Sequence, residues 1–142
     1  MKKVALNLVL LLAVVAAAFF MFAPRYFDST NNVLDGKPLP EIRPEAQALH
    51  DTLTIVDLHS DSLLWKRDVL EANDVGHMDL PRLQQGNVAL QVFSSVTKTP
   101  TGQNYDNNSA DGEMVTLLVF AQLQPVRTWT SLLERSLWHA QK

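Results

Sequence analysis

Residues Val4 to Ala23 form an almost unbroken apolar run, interrupted only by Asn7. About 20 apolar residues is the length that carries a helix across the hydrocarbon layer of a bilayer. Within lipid every backbone polar group must be paired inside the segment, so a single spanning segment has to be a helix. The run therefore constrains the first part of the chain before any other feature is weighed. Lys2 and Lys3 precede it, which favours an orientation with the N-terminus in the cytoplasm and the rest outside. A secretory signal peptide would carry a similar run but end in a small-residue site of the Ala-x-Ala kind. Here Ala16-Ala17-Ala18 leads into Phe19-Phe20-Met21-Phe22, and cleavage there would leave an apolar stub. An uncleaved anchor is favoured over a signal peptide. On either reading the remainder is extracytoplasmic, periplasmic or extracellular.

The chain has 142 residues, a formal net charge of -3 and no cysteine. Its 46% hydrophobic content owes much to the apolar run. Without cysteine there is no disulfide framework, although the compartment would permit one. The mild acidity gives no electrostatic footprint for nucleic acid.

The sequence divides into an anchor at 1–23, a tether at 24–43 and a domain at 44–142. Pro24, Asn31, Asn32, Gly36, Pro38 and Pro40 punctuate the tether, which lacks an apolar period. Pro44 to His50 reads as a short helix with proline in its first turn. Leu53 to Leu58 reads as a strand, and Leu63 to Ala72 as a helix with Leu63, Leu64, Val69 and Leu70 on one stripe. Asp79 to Gly86 reads as a helical turn with an acidic entry and a glycine exit. Val88 to Val96 is nearly continuous in apolar residues, as a strand covered on both faces would be. Thr97 to Ser109 is a polar loop. From about Ala110 the pattern turns helical, Pro125 breaks it, and Thr128 to Ala140 resumes it.

Strand, helix, strand, helix in order argues for a parallel α/β architecture. A complete eight-stranded barrel needs roughly 250 residues. Two convincing strands would leave apolar faces and strand edges uncovered. The chain is thus expected to be the front part of something longer.

The chemistry gathers at Leu53-Thr-Ile-Val-Asp-Leu-His59-Ser60-Asp61. An apolar stretch ends in an imidazole and a carboxylate two residues apart, and side chains two apart on a strand point to the same side. Together they suit Zn²⁺ at the C-terminal end of a strand, where parallel barrels place their chemistry. The plainer reading is a His–Asp pair closing a turn, with Asp61 capping the next helix. His77-Met78-Asp79 has the same form but follows no apolar strand, and Asp79 is better read as the cap of the helix at Pro81. His50 and His139 fall in helical segments without a partner ligand and are expected at the surface. Asn107-Asn108-Ser109 matches a glycosylation acceptor. No serine-hydrolase elbow, phosphate-cradling glycine loop or helical zinc-protease motif is present.

Ile55-Val-Asp-Leu-His-Ser-Asp-Ser-Leu-Leu-Trp65 resembles the first-strand motif of the membrane (renal) dipeptidase family of zinc metallopeptidases. Gly76-His-Met-Asp-Leu-Pro-Arg-Leu-Gln-Gln-Gly86 followed by Val88-Ala-Leu-Gln-Val-Phe-Ser94 resembles the family's next segment. The likeness runs from about Ala46 to the C-terminus. It implies the N-terminal portion of a (β/α)₈ TIM-type amidohydrolase barrel behind one transmembrane helix. It also implies two zinc ions bridged by a glutamate, and hydrolysis of dipeptides. His59 and Asp61 match the two ligands that the first strand gives to one zinc. His77 and Asp79 match a segment that supplies no ligand. The bridging glutamate and the later ligands belong to segments beyond residue 142; Glu113 and Glu134 match neither, and no catalytic residue falls within the chain. A second reading, from a different class, is a truncated, non-catalytic, membrane-tethered protein that at most binds partners.

Overall fold

The computed structural model describes residues 1–38 and 40–142. Residue 39, inside the expected tether, lies outside the described residues. Helix α1 spans Lys2–Asn31, and is long and apolar enough to cross a membrane. It does not stop with the apolar run at Ala23. Pro24 lies within it, and the last turn is closed by side chains: Ser29 and Thr30 hydroxyls donate to the Tyr26 carbonyl, and Asn31 Nδ2 donates to that of Phe27. The first part of the expected tether is therefore helical.

That extension is held against the domain. Arg25 pairs with Asp74 at 2.6 Å on the surface, and Arg67 Nη1 meets Asp28 Oδ1 at 3.2 Å in a nearly dry setting. The same Arg67 nitrogen donates to the Val75 carbonyl at 2.8 Å. Gly76 closes the clasp, its N–H donating to the Asn32 carbonyl at 3.2 Å. Its φ is +83°, and a Cβ there would strike the Arg67 guanidinium. Both facts require glycine.

Helix α2 (Pro44–His50) forms as the proline-led segment predicts. Strand β1 covers Ile55–Asp57, and the next strand, β2, covers Val88–Gln91. They pair in parallel with Ile55 opposite Val88 and Val56 opposite Leu90. Asn87 aligns their starts: at φ +54° its Nδ2 donates to the Leu53 carbonyl at 2.9 Å. Both strands are shorter than the apolar runs that encode them, since each has one partner only among the described residues. Val56 and Leu90, paired in register, are each about half exposed, and Leu58, Val92 and Phe93 are exposed beside them. The sheet lacks the two-sided cover its composition suits.

The helix expected over Leu63–Ala72 is absent. One 3₁₀ turn at Ser62–Leu64 ends when Trp65 turns extended. The reason is local competition from short polar side chains. Asp68 Oδ1 accepts from the Leu70 N–H, and Asn73 Nδ2 donates to the carbonyls of Asp68 and Glu71. Helix α3 (Leu80–Gln85) sits between Asp79 and Gly86 as expected, and packs against β2. Helix α4 (Val115–Ala121) begins where Glu113 accepts from the N–H groups of Val115 and Thr116, at 2.7 and 2.8 Å. After Pro125 a 3₁₀ turn at Val126–Thr128 intervenes. Helix α5 (Leu132–His139) then starts from Ser131, whose hydroxyl accepts from the Glu134 N–H.

The core among α4, α5 and the turn is small and partly polar. Val115, Val119 and Ala121 are buried beside Thr128, Arg135 and His139. Arg135, 1% exposed, is its hub. Nε donates to the Thr128 carbonyl, Nη1 to that of Thr97, and Nη2 to the Trp129 carbonyl and the Thr116 hydroxyl, each at 2.7 Å. Glu113 Oε1 lies 3.3 Å from Nη1 and supplies the countercharge. A buried guanidinium is tolerable only with this degree of satisfaction.

His139 corrects the expectation of a surface histidine: it is 1% exposed. The expectation rested on the absence of a partner ligand nearby in sequence. His139 lies one turn beyond Arg135 and is buried with it, while Leu133 and Leu137 are exposed. His139 Nδ1 meets the Ser95 hydroxyl at 2.8 Å. Burial, reinforced by the positive charges of Lys142 and Arg135, pushes its pKa down to about 4.

Two outcomes are expected from this core. Arg135→Lys keeps the charge but cannot reproduce the fork, and should cost about 3 kcal/mol or more in denaturant unfolding. An unchanged midpoint would contradict the hub. For His139 the folded pKa lies below the ordinary 6.5, so the unfolded chain binds the proton more readily. The stability it supports is present above about 6.5 and is lost as pH falls toward 4. His139→Gln should flatten that part of the stability–pH profile.

Candidate functional site

His59 and Asp61 stand just past the C-terminal end of β1. Asp57, the last residue of the strand, turns the chain: its Oδ1 accepts from the His59 N–H at 3.0 Å. Ser60 and Ser62 hydroxyls meet at 3.0 Å, and the 3₁₀ turn begins. The result brings His59 Nε2 to 3.2 Å from Asp61 Oδ1. Their side chains are 72% and 48% exposed, so the pair faces solvent.

The plainer reading had Asp61 capping the following helix. The Asp61 side chain makes no capping hydrogen bond to that turn. Its Oδ1 instead accepts from the Ser94 hydroxyl at 2.6 Å. Ser94 reaches it because pairing continues beyond the regular strands: the Val92 N–H donates to the Asp57 carbonyl and the Ser94 N–H to the Ser60 carbonyl. Ser94 is thus a positioning residue that sequence reading did not single out. The signal was there in the parallel alignment of the two apolar runs, which puts their ends side by side.

The pair supplies two of the donors a zinc site would need. Imidazole nitrogen and carboxylate oxygen are among the ligands this metal prefers. Two such donors on one tetrahedral ion at about 2.1 Å each stand about 3.4 Å apart, a little more than the 3.2 Å of this direct His–Asp contact. A catalytic zinc takes about three protein ligands. Among the described residues no group of three or more His, Asp or Glu side chains converges.

The second triplet does different work. His77 is exposed on the loop beside Gly76. Asp79 is fully buried and caps α3, with Oδ1 accepting from the Arg82 N–H at 3.0 Å. Its Oδ2 accepts from the Asn73 N–H at 3.1 Å and from the Arg82 guanidinium. Burial alone would raise its pKa. Hydrogen bonds from the Asn73 and Arg82 backbone, with the Arg82 charge, outweigh that and hold it below the ordinary value.

The remaining candidates are structural. His50 is half-buried at the end of α2, with its carbonyl accepting from Asn87. Glu113 caps α4 and faces Arg135, and Glu134 pairs with Arg127 at 3.0 Å. Asn107 of the glycosylation acceptor is exposed. The chain matches no protein-family model, no curated protein and no solved structure.

The triplets should separate on mutation. Asp79→Ala should lower stability by about 2 kcal/mol, through the lost cap and the abandoned Arg82. His77→Ala should change it by less than about 0.5 kcal/mol, as exposed substitutions do. Thermal melts of the three proteins in one detergent decide this. Equal losses would remove the distinction between cap and surface residue.

Proposed function

We infer that this chain is the membrane-anchored, extracytoplasmic N-terminal part of a zinc-dependent dipeptidase, with a barrel domain that further strands would complete. One observation carries the reading: His59 Nε2 and Asp61 Oδ1 lie 3.2 Å apart, solvent-facing, at the C-terminal end of the first of two parallel strands. Parallel barrels place catalytic groups at that end. His59 and Asp61 would hold one zinc ion. When bound, the metal would acidify a water and polarise the peptide carbonyl. Ser94 keeps the Asp61 carboxylate turned toward His59, and Asp57 fixes the backbone from which His59 projects. The uncovered sheet face agrees with strands that pack against further structure.

A second reading is favoured by a different observation. Only two donors converge, and two leave zinc largely hydrated. By itself this chain would then be a non-catalytic, membrane-tethered protein.

The test has two arms. Zinc titration of the present chain should give weak binding, above micromolar, lost in His59→Ala and kept in His77→Ala. A protein carrying this segment and extending past residue 142 should hydrolyse dipeptides with zinc, and His59→Ala should abolish most of that turnover. Equal metal loss in both histidine variants would overturn the site. Absence of dipeptide hydrolysis in the extended protein would leave the tethered reading standing.

A further inference from the structure

We propose that the corner joining α4 to the 3₁₀ turn, with Leu123 and Val126 at its tip, is a second membrane contact that enters the lipid surface beside α1. The inference rests on α1 lying in a bilayer and is independent of the dipeptidase reading. Its basis is where the domain touches the helix. Phe120 packs edge-on against Phe20, with centroids 5.2 Å apart, and reaches Phe19 at 6.5 Å. Both partners belong to the apolar run, several residues before its end at Ala23.

Length decides what this means. If the whole domain stayed clear of the hydrocarbon, only Val4 to Ala18 would remain to span it. At about 1.5 Å per residue that stretch covers roughly 22 Å. The hydrocarbon layer is about 30 Å thick. Using the full run draws Phe19 and Phe20 below the lipid surface, and Phe120 goes with them.

The corner is built to follow. From Val115 to Val126 there is no charged residue. Charges border the corner: Arg127 follows Val126 and pairs with Glu134 at 3.0 Å, and Lys66 and Lys142 line the pocket beside Leu123, cations whose long stems can keep their heads at the headgroup level. Trp129 packs edge-on against Phe120 at 5.1 Å and satisfies its indole N–H on the Gln124 carbonyl. An indole with its polar end paired suits the interfacial zone. Leu123 stands out most. α4 ends in a Schellman motif, with the Gln124 N–H donating to the Val119 carbonyl and the Leu123 N–H to that of Phe120. Leu123 takes the left-handed position of that motif, φ +54°, where glycine is usual. Its side chain is 57% exposed, and that of Val126 is 72% exposed. Two large apolar side chains, one on a strained backbone, project from this corner beside the membrane-spanning run.

The chain lacks cysteine, so a single introduced thiol reports one position. The full chain is reconstituted in phosphatidylcholine–phosphatidylglycerol nanodiscs as Leu123→Cys or Val126→Cys and spin-labelled. Val9→Cys serves as the lipid reference, and Tyr105→Cys, on a fully exposed residue, as the aqueous one. Power saturation compares access by oxygen and by a water-soluble nickel chelate. Labels at 123 and 126 should favour oxygen, as at 9 and unlike 105. If both match position 105 while position 9 lies in lipid, the contact is overturned and the anchor stands. If position 9 is aqueous, the anchor fails and takes the contact with it. Spin–spin broadening at 123 that vanishes on dilution with unlabelled chain would place a second copy there, and would overturn the lipid assignment.

Discussion

Arg135 carries more of this domain than any apolar residue does. A single guanidinium joins the end of the β2 extension at Thr97, the start of α4 at Thr116, and the turn at Thr128 and Trp129. They lie between 6 and 38 residues from Arg135 in sequence, and few buried apolar side chains lie between them. Directed bonds replace the missing hydrophobic volume. Such a hub is demanding, because each unpaired donor would cost about 1–3 kcal/mol when buried. It also fixes geometry more sharply than a layer of leucines would. Phe120, one turn along α4 from Thr116, packs between Phe20 of α1 and Trp129.

The His59–Asp61 pair depends on a different set of bonds. Two short parallel strands bring Ser94 beside Ser60, and Ser94 then orients Asp61. The same extension of β2 is also held by the core, through His139 on the Ser95 hydroxyl and Arg135 on the Thr97 carbonyl. Damage to the hub should therefore reach the strand ends through the residues that follow Ser94. The sheet next to the pair stays partly open, with Val56, Leu58 and Leu90 exposed.

Reading the sequence worked where one local rule dominated. The apolar run, the proline-led α2 and the Asp79 cap were each dictated by a few adjacent residues, and each appears as expected. The two strands and their parallel sense also came from pattern alone. The segment after Leu64 failed because Asp68 and Asn73 claim the backbone groups that a helix would use. His139 failed because its partner, the Ser95 hydroxyl, stands 44 residues away in sequence. Ser94 was invisible for a third reason: its role exists only once two strands far apart in sequence are aligned. Asp28 was read as part of a tether, and its partner Arg67 could not be guessed from spacing.

The clasp of Arg67, Asp28 and Gly76 ties the domain to the helical extension of α1. A flexible tether would let the domain wander and would insulate it from the lipid. With α1 seated in a bilayer as proposed, a change in bilayer thickness met by tilting the helix would be passed through this clasp toward the His59–Asp61 pair. Lipid composition would thereby set which way the site faces and how far it stands from the headgroups. The membrane would serve as a lever on the domain as well as a place to hold it.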